Sequence, residues 1–190
     1  MKDLQYEIQF YSPWHCGSGL SAGADVDALV VKDKYGIPFV PGKTIKGLLR
    51  EAVEAYCDFL KIDKQVEIDT VFGKKGEHDV KGEAQQGIAF FSNANLPQQE
   101  ADAIKNADAQ DYLYIQLSST AIDDHGVAKK NSLRRMEAVV PCTMEGTIYG
   151  VEDDMADIIV KCMGYVKRMG QSRTRGLGRC DFREKKGGKQ

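Results

Sequence analysis

Two segments of the sequence combine glycine with basic residues in the way that phosphate-binding segments do. The first, VPGKTIKGLLR, brings Lys43 and Lys46 to the expected start of a helix, where free backbone N–H groups and the helix dipole favour an anion. The second, MGQSRTRGLGR, spaces Arg173 and Arg175 between glycines. Glycine lets backbone N–H groups approach an anion, and guanidinium groups bind its oxygens. The sequence therefore predicts two phosphate-binding segments.

The GKT tripeptide at residues 42–44 could belong to a nucleotide-binding P-loop, but its surroundings argue against this. A P-loop has four residues between its first glycine and the Gly-Lys-Thr, whereas five residues separate Gly36 from Gly42. Two of them, Pro38 and Pro41, have no backbone N–H to offer a phosphate. A nucleic acid backbone is therefore the better candidate for the bound phosphate.

Charge is distributed unevenly along the chain. The 190 residues carry a net charge of −2. From Lys167 to Gln190, nine basic residues stand against two acidic ones, a local balance of +7, so the other 166 residues carry −9. Such asymmetry indicates a polyanion-binding end on an acidic body.

Composition argues against several classes of protein. With 42% hydrophobic residues, the chain can bury one sizeable core. It shows no charged-then-apolar leader and no long apolar run, which predicts a cytoplasmic protein without a membrane partner. Five widely spaced cysteines form no CxxC pair, and only three histidines are present. We therefore expect buried thiols rather than a zinc site or a disulfide framework.

Hydrophobic periodicity predicts an α+β fold. Apolar and polar residues alternate from Leu4 to Phe10, which is typical of a half-buried strand. Helical spacing from about Thr44 to Leu60, and again after Asp153, predicts two amphipathic helices. Further strands are expected over residues 87–91, 112–119 and 137–151 and at the C-terminus, with a short surface helix over 98–108.

This order of elements is that of a ferredoxin-like or RRM-like domain with insertions. We predict one domain over residues 1–184, with inserted loops at 12–25, 69–86 and 120–135, and a basic tail at 185–190. The loop at 120–135 has a turn signal at Asp124-His125-Gly126 and looks like a projecting hairpin.

Five motifs, in this order, resemble the RAMP superfamily: GIPFVPGKTIKGLLRE, VFG, GIAFFSNANL, TAIDDHGVAKKNSLRRMEAVVPCTMEGTIYG and MGQSRTRGLGR. Within it, they are similar to the repeated backbone subunit of type III CRISPR effector complexes, which serve antiviral defence. The resemblance implies a modified RRM with a projecting thumb hairpin. It also implies several partners: a CRISPR guide RNA, a complementary target RNA, further copies of the chain and other RAMP-type subunits.

The resemblance also assigns roles to individual residues. RNA contacts are implied for His15, Lys43, Lys46, Arg50, Lys129, Lys130, Arg134, Arg173 and Arg175. The thumb would carry Ile122, Val127 and Leu133, which would wedge between bases and interrupt the guide–target duplex at regular intervals. Such insertion costs a few kcal/mol of unstacking, which wrapping more RNA offsets.

The segment GADVDALVVKD holds the acidic residues that the resemblance connects with cleavage of target RNA. Asp27 falls at the family's catalytic position, and Asp25 is either a helper or the true position. A carboxylate could hold Mg²⁺ or another divalent cation, or act as a base, while a 2′-hydroxyl attacks the adjacent phosphate. One carboxylate, Asp27, makes a weak metal site, so RNA and water would supply most ligands. Cleavage is expected only within the assembled complex.

Three alternatives stay open on the sequence alone. Asp25 and Asp27 would be ordinary turn residues in a non-catalytic subunit that only holds guide RNA. A repeat-processing endoribonuclease of the same superfamily would instead use His15 as its acid or base. An ordinary exposed loop at 120–135 would have no wedge function.

Overall fold

The computed structural model describes residues 1–23, 25–74 and 85–185. Within these residues, six strands and four α-helices follow one another along the chain. They are β1 Lys2–Phe10, α1 Gly42–Leu60, α2 Gln65–Phe72, β2 Phe90–Phe91, α3 Gln98–Asn106, β3 Tyr114–Ser119, β4 Arg134–Val139, β5 Thr143–Val151, α4 Asp153–Met163 and β6 Cys180–Glu184. Two short 3₁₀ turns lie at Gln110–Leu113 and Arg173–Arg175.

Four strands form an antiparallel sheet in the order β2-β5-β1-β6. With α1 and α4, these strands give the β-α-β-β-α-β arrangement of ferredoxin-like domains. The remaining strands, β3 and β4, pair with each other as a separate two-stranded sheet between β2 and β5 in the chain. The predicted fold class, a ferredoxin-like or RRM-like domain with an inserted hairpin, is confirmed.

The core lies between the sheet and the two long helices. The apolar side chains of β1 are buried at alternate positions, and they belong to one hydrophobic core with the apolar faces of α1 and α4. Burial of each large apolar side chain stabilises the fold by about 1.5–3 kcal/mol. The fully buried side chains of these three elements include Tyr6, Ile8, Ile45, Leu49, Val53, Met155 and Ile159.

The loop after β1 is part of this core. Trp14 is fully buried, and its ring stacks on Phe10 with 4.7 Å between the ring centroids. The backbone of Trp14 also exchanges two hydrogen bonds with Val139 in β4. The loop is therefore fixed between the main sheet and the inserted hairpin.

The cysteines lie mostly in the interior. Cys16, Cys57, Cys162 and Cys180 are buried, which confirms the expectation that most thiols are core residues. Burial raises the pKa of Cys16 to about 12 and that of Cys162 to about 11. These thiols therefore stay protonated at neutral pH.

The face of the sheet opposite the helices carries charged side chains that pair with one another. Glu7 and Glu145 stand opposite each other on β1 and β5. Arg183 pairs with Glu7 and Asp181, and Lys185 pairs with Glu145 at 2.6 Å. The same face also carries two exposed rings, Phe90 on β2 and Tyr149 on β5, which stand opposite each other with 6.0 Å between their centroids.

Three predicted boundaries are corrected. The loop expected at 69–86 starts later, because α2 continues to Phe72, whose ring stacks on Phe91 at 5.4 Å; residues 75–84 lie outside the described residues. The loop expected at 120–135 ends earlier, because β4 begins at Arg134. Lys185 belongs to the fold rather than to a tail, since its backbone N–H donates to Gln5; residues 186–190 lie outside the described residues.

Candidate nucleic-acid interface

The glycine-rich segment at residues 169–179 lies against the loop after β1. The backbone N–H of Gln171 donates to the carbonyl of His15 at 2.9 Å, and that of Gly178 donates to the carbonyl of Pro13 at 2.8 Å. Between these anchors, Arg173 and Arg175 are exposed on the 3₁₀ turn. The two arginines are therefore presented to solvent from a segment that is held at both ends.

The basic C-terminal end divides into two parts. Arg183 and Lys185 are paired with carboxylates on the face of the sheet opposite the helices. The preceding cations, on the glycine-rich segment and just before it, are exposed: Lys167, Arg168, Arg173, Arg175 and Arg179. The positive charge that a polyanion could meet is thus concentrated on this segment.

The start of α1 presents the second basic segment. Pro41 precedes the helix with an extended backbone. The backbone N–H of Gly42 donates to the side-chain oxygen of Asn93 at 2.9 Å, so this N–H is already satisfied within the protein. Lys43 is exposed and Lys46 is half-buried. Lysine side chains, rather than the Gly42 amide, are therefore what this segment offers to a phosphate.

Arg50 has a structural role instead of the expected RNA contact. Its residue is only 8% exposed. Its guanidinium group donates to Glu54 at 2.6 Å, to Asp69 at 2.7 Å and to the carbonyl of Gly73. The prediction of an RNA contact is corrected, because the guanidinium group of Arg50 instead joins α1 to the end of α2.

Replacement of Arg50 by methionine is expected to lower the free energy of unfolding by roughly 2–4 kcal/mol, because partners of a buried cation lose their hydrogen bonds. Urea unfolding measures this loss. Lys46→Met, one turn earlier on the same helix, is the matched control and should change stability by no more than about 0.5 kcal/mol. A stable Arg50→Met protein that binds RNA poorly would restore the original assignment.

The prediction that His15 contacts RNA is also corrected. Its side chain is fully buried, and its Nδ1 donates to the carbonyl of Glu137 in β4 at 2.6 Å. Among the described residues, its Nε2 has no hydrogen-bond partner. A direct contact with RNA, or acid–base chemistry on RNA, would require this loop to open. The histidine instead attaches the loop after β1 to the inserted hairpin.

The acidic segment runs along β4, at the base of the inserted hairpin. Asp27 is exposed, its backbone N–H donates to the carbonyl of Arg135 at 2.9 Å, and its carboxylate accepts the Arg135 backbone N–H at 2.7 Å. The next residue, Ala28, pairs with Met136 in a parallel bridge. Two residues that are 108 positions apart in sequence are therefore held together, and the carboxylate of Asp27 is oriented by a backbone amide.

Glu137 reinforces the same junction. Its carboxylate accepts the backbone N–H of Val30 at 3.0 Å and pairs with Lys32 at 2.8 Å. Asp25 is exposed as well, but it belongs to a tight turn in which its own N–H donates to Ala22 at 3.2 Å. Of the two acidic candidates, Asp27 is the one that these contacts tie to the hairpin.

The hairpin beyond this junction exposes apolar side chains. Ile122, Val127 and Leu133 are 63%, 61% and 57% exposed. Its tip is built locally: the carboxylate of Asp123 accepts the backbone N–H groups of His125 and Val127, both at 2.9 Å. Basic side chains lie beside the apolar ones and are exposed as well: Lys129, Lys130 and Arg134. Exposed apolar groups next to cations suit insertion into a nucleic acid.

The residues that organise this interface include several that the sequence patterns did not single out. Asn93, Glu137 and the backbone of Arg135 act across 51 to 108 positions of sequence. No local spacing marks them, because their partners lie on other elements.

A divalent cation would find only part of a site here. The described ranges contain no group of three or more His, Cys, Asp or Glu side chains that could hold a metal ion. Asp27 offers one carboxylate, whereas Mg²⁺ prefers six oxygen ligands in octahedral geometry. The described residues therefore do not make a metal site by themselves.

Comparison with known proteins places this architecture in a family. The model of the RAMP superfamily matches residues 7–181, so the chain belongs to the RAMP superfamily. No curated protein matches the sequence. Across the described part of the chain, no helix has the length and apolarity needed to cross a membrane.

The fold is also found in solved structures, including two of the type III-B Cmr-beta complex. One is a cryo-EM structure of the type III-B Cmr-beta complex bound to cognate target RNA, with a TM-score of 0.72, 13% identity and coverage of 97% of both chains. The other is the apo state of type III-B Cmr-beta, with a TM-score of 0.71, 14% identity and coverage of 97% of this chain and 98% of that chain. The similarity in fold extends over nearly the whole length of each chain.

Proposed function

We propose that this chain is a subunit of a type III CRISPR effector complex, acting in the cytoplasm, that binds a guide RNA and a complementary target RNA. Its membership of the RAMP superfamily supports this, as does its similarity in fold to chains of the type III-B Cmr-beta complex. The exposed cations at the start of α1 and on the glycine-rich segment suit an RNA backbone. Copies of the chain and other RAMP-type subunits would stack along the guide.

We further propose that the subunit cleaves the target RNA beside the nucleotide that the thumb displaces. The observation that carries this proposal is the pair of hydrogen bonds that the backbone N–H and the carboxylate of Asp27 make with the backbone of Arg135. They hold an exposed carboxylate at the base of the hairpin that carries the apolar wedge. The carboxylate of Asp27 would therefore lie next to the nucleotide that the hairpin displaces.

The chemistry follows from the distortion. Wedge insertion unstacks the target at one step, which lets a ribose 2′-oxygen approach the adjacent phosphorus in line with the leaving 5′-oxygen. The 2′-hydroxyl gives up its proton as the new P–O bond forms, and the 5′-oxygen takes a proton as its bond to phosphorus breaks. A carboxylate within hydrogen-bond reach accelerates such a transfer by roughly 10²–10⁴. Asp27 is our candidate for that group.

The proposal includes Mg²⁺ or another divalent cation as cofactor. Asp27 would contribute one ligand, and phosphate oxygens of the bound RNA and water would complete the set. The cation would supply stabilisation of the negative charge that grows on the phosphate.

The binding function is tested by purifying the tagged protein from its host at low salt. The RNA that is recovered with it is sequenced, and the associated proteins are identified. We expect guide RNAs of uniform length, together with other RAMP-type subunits. Recovery of the chain without RNA or partners would overturn the proposal. The same preparation should lose RNA when it is washed at high salt. Binding to phosphates releases counterions, and a high salt concentration opposes that release.

A further inference from the structure

A second surface, away from Asp27 and the base of the hairpin, has features of a ligand site. It is an open groove of about 750 Å³ between the C-terminal half of α1 and the segment that follows α4. This volume lies within the range of small-molecule sites. We call it the aromatic groove and define it by Tyr56, Phe59, Tyr165, Lys167, Arg168 and Arg173.

Aromatic rings form the apolar part of the groove. Phe59 and Tyr165 are 84% and 64% exposed, although rings of this size are usually buried. Tyr165 lies next to Tyr56 at a centroid distance of 6.0 Å and an interplanar angle of 32°. The rings therefore leave faces open on which a further planar group could stack.

Cations form another part. Lys167, Arg168 and Arg173 are exposed along the groove, against one acidic lining residue, Glu51. The guanidinium group of Arg168 donates to the carbonyl of Arg173, which holds this side chain at the groove. The lining is thus positively charged beside an aromatic floor.

We propose that the aromatic groove binds a short stretch of single-stranded RNA, with an unpaired base stacked on Tyr165 and Phe59 and its phosphates on the three cations. Aromatic platforms combined with a positively charged groove are how proteins bind single strands without reading their sequence. Charge complementarity favours this occupant over an apolar protein segment, which would gain nothing from the cations. Arg173 also belongs to the glycine-rich segment, so the groove continues the surface proposed above for RNA.

The inference rests on the RNA-binding part of the proposed function, and the test separates the two. The probes are two fluorescein-labelled 12-nucleotide RNAs, one of unstructured A/U sequence and one with abasic sugars at its central positions. Binding to the full-length protein is measured by fluorescence anisotropy at fixed salt. The variant is Phe59→Ala with Tyr165→Ala. The control is Tyr112→Ala, because Tyr112 is also 84% exposed but lies outside the groove.

We expect the double variant to bind the A/U RNA about 10-fold or more weakly, since each stacked base contributes substantially to affinity. The abasic RNA should bind the parent protein, the double variant and the control equally. Photocrosslinking of a 4-thiouridine-labelled RNA should label Tyr165 or Phe59.

Unchanged affinity of the folded double variant for the A/U RNA, with no crosslink in the groove, would overturn the inference and leave the groove to an apolar protein partner. If Lys43→Glu still weakens both RNAs in that case, the proposed function survives. A parent protein that binds neither RNA would overturn the inference and the proposed RNA binding together.

Discussion

Replacing Asp27 by asparagine is expected to slow cleavage of target RNA by at least about 100-fold in the assembled complex, which is the low end of what a positioned acid–base group contributes. Binding of the target should stay within about twofold. Asparagine keeps a side-chain oxygen that can accept the backbone N–H of Arg135, a bond that measures 2.7 Å with the native carboxylate. The loop should therefore keep its place while the charge is lost. Single-turnover cleavage at saturating Mg²⁺ measures the effect.

Asp25→Asn is the matched control, because Asp25 is also exposed, lies two residues away and makes its backbone hydrogen bond to Ala22 rather than to the hairpin. Its cleavage rate should fall less than about threefold, as expected of a residue outside the reacting geometry. Loss of cleavage in Asp25→Asn alone would move the assignment to Asp25. Full activity of both variants in a complex that still binds target would make this chain a non-catalytic guide-holding subunit. A target with a 2′-deoxy sugar at the scissile position should resist cleavage by the native complex.

Replacing Gly178 by alanine is expected to lower the free energy of unfolding by roughly 2–5 kcal/mol, or to prevent folding. The backbone of Gly178 has a φ of +67°, and a side chain in this left-handed region costs about 1–2 kcal/mol. An added Cβ would also overlap the backbone carbonyl of Met169, and relieving such overpacking costs roughly another 1–3 kcal/mol. Urea unfolding followed by circular dichroism measures the loss.

Gly176→Ala separates the two causes. Gly176 has a φ of +91°, but a Cβ there would meet no atom within 4 Å. Its substitution should therefore cost only the conformational term of about 1–2 kcal/mol. Equal losses at Gly176 and Gly178 would mean that Gly178 does not pack against the Met169 backbone in solution. A folded Gly178→Ala protein should bind RNA weakly, because Arg173 and Arg175 lie on the displaced segment.

Much of the architecture follows from local patterns. The alternation in β1 and the helical spacing of Ile45, Leu49 and Val53 each identify an element and its buried face, and the structure agrees at these positions. The turn signal near Gly126 also lies where the hairpin reverses, with the Gly126 N–H donating to Asp123. Such features depend on neighbours in sequence, so the sequence can specify them.

The sequence was a poorer guide to roles that depend on partners far away in the sequence. Arg50 follows Leu49 on α1 and is a plausible phosphate ligand by type, yet it is buried and donates to Asp69 in α2 and to Gly73 just after that helix. His15 lies in a glycine-rich loop that looks exposed, yet Trp14 draws the loop into the core. In both cases residue type was a poor guide because burial is decided by packing between elements.

The sequence by itself determined the order and faces of the elements, the turn of the hairpin and the concentration of positive charge near the C-terminus. Only the tertiary structure decided that Asp27 lies at the base of the hairpin, and that Tyr165 and Phe59 share a groove with Arg173. The physical reason is the range of the interactions. Periodicity and turn chemistry act over a few residues, whereas these contacts join residues about 100 positions apart and require the sheet, the helices and the hairpin to be packed together first.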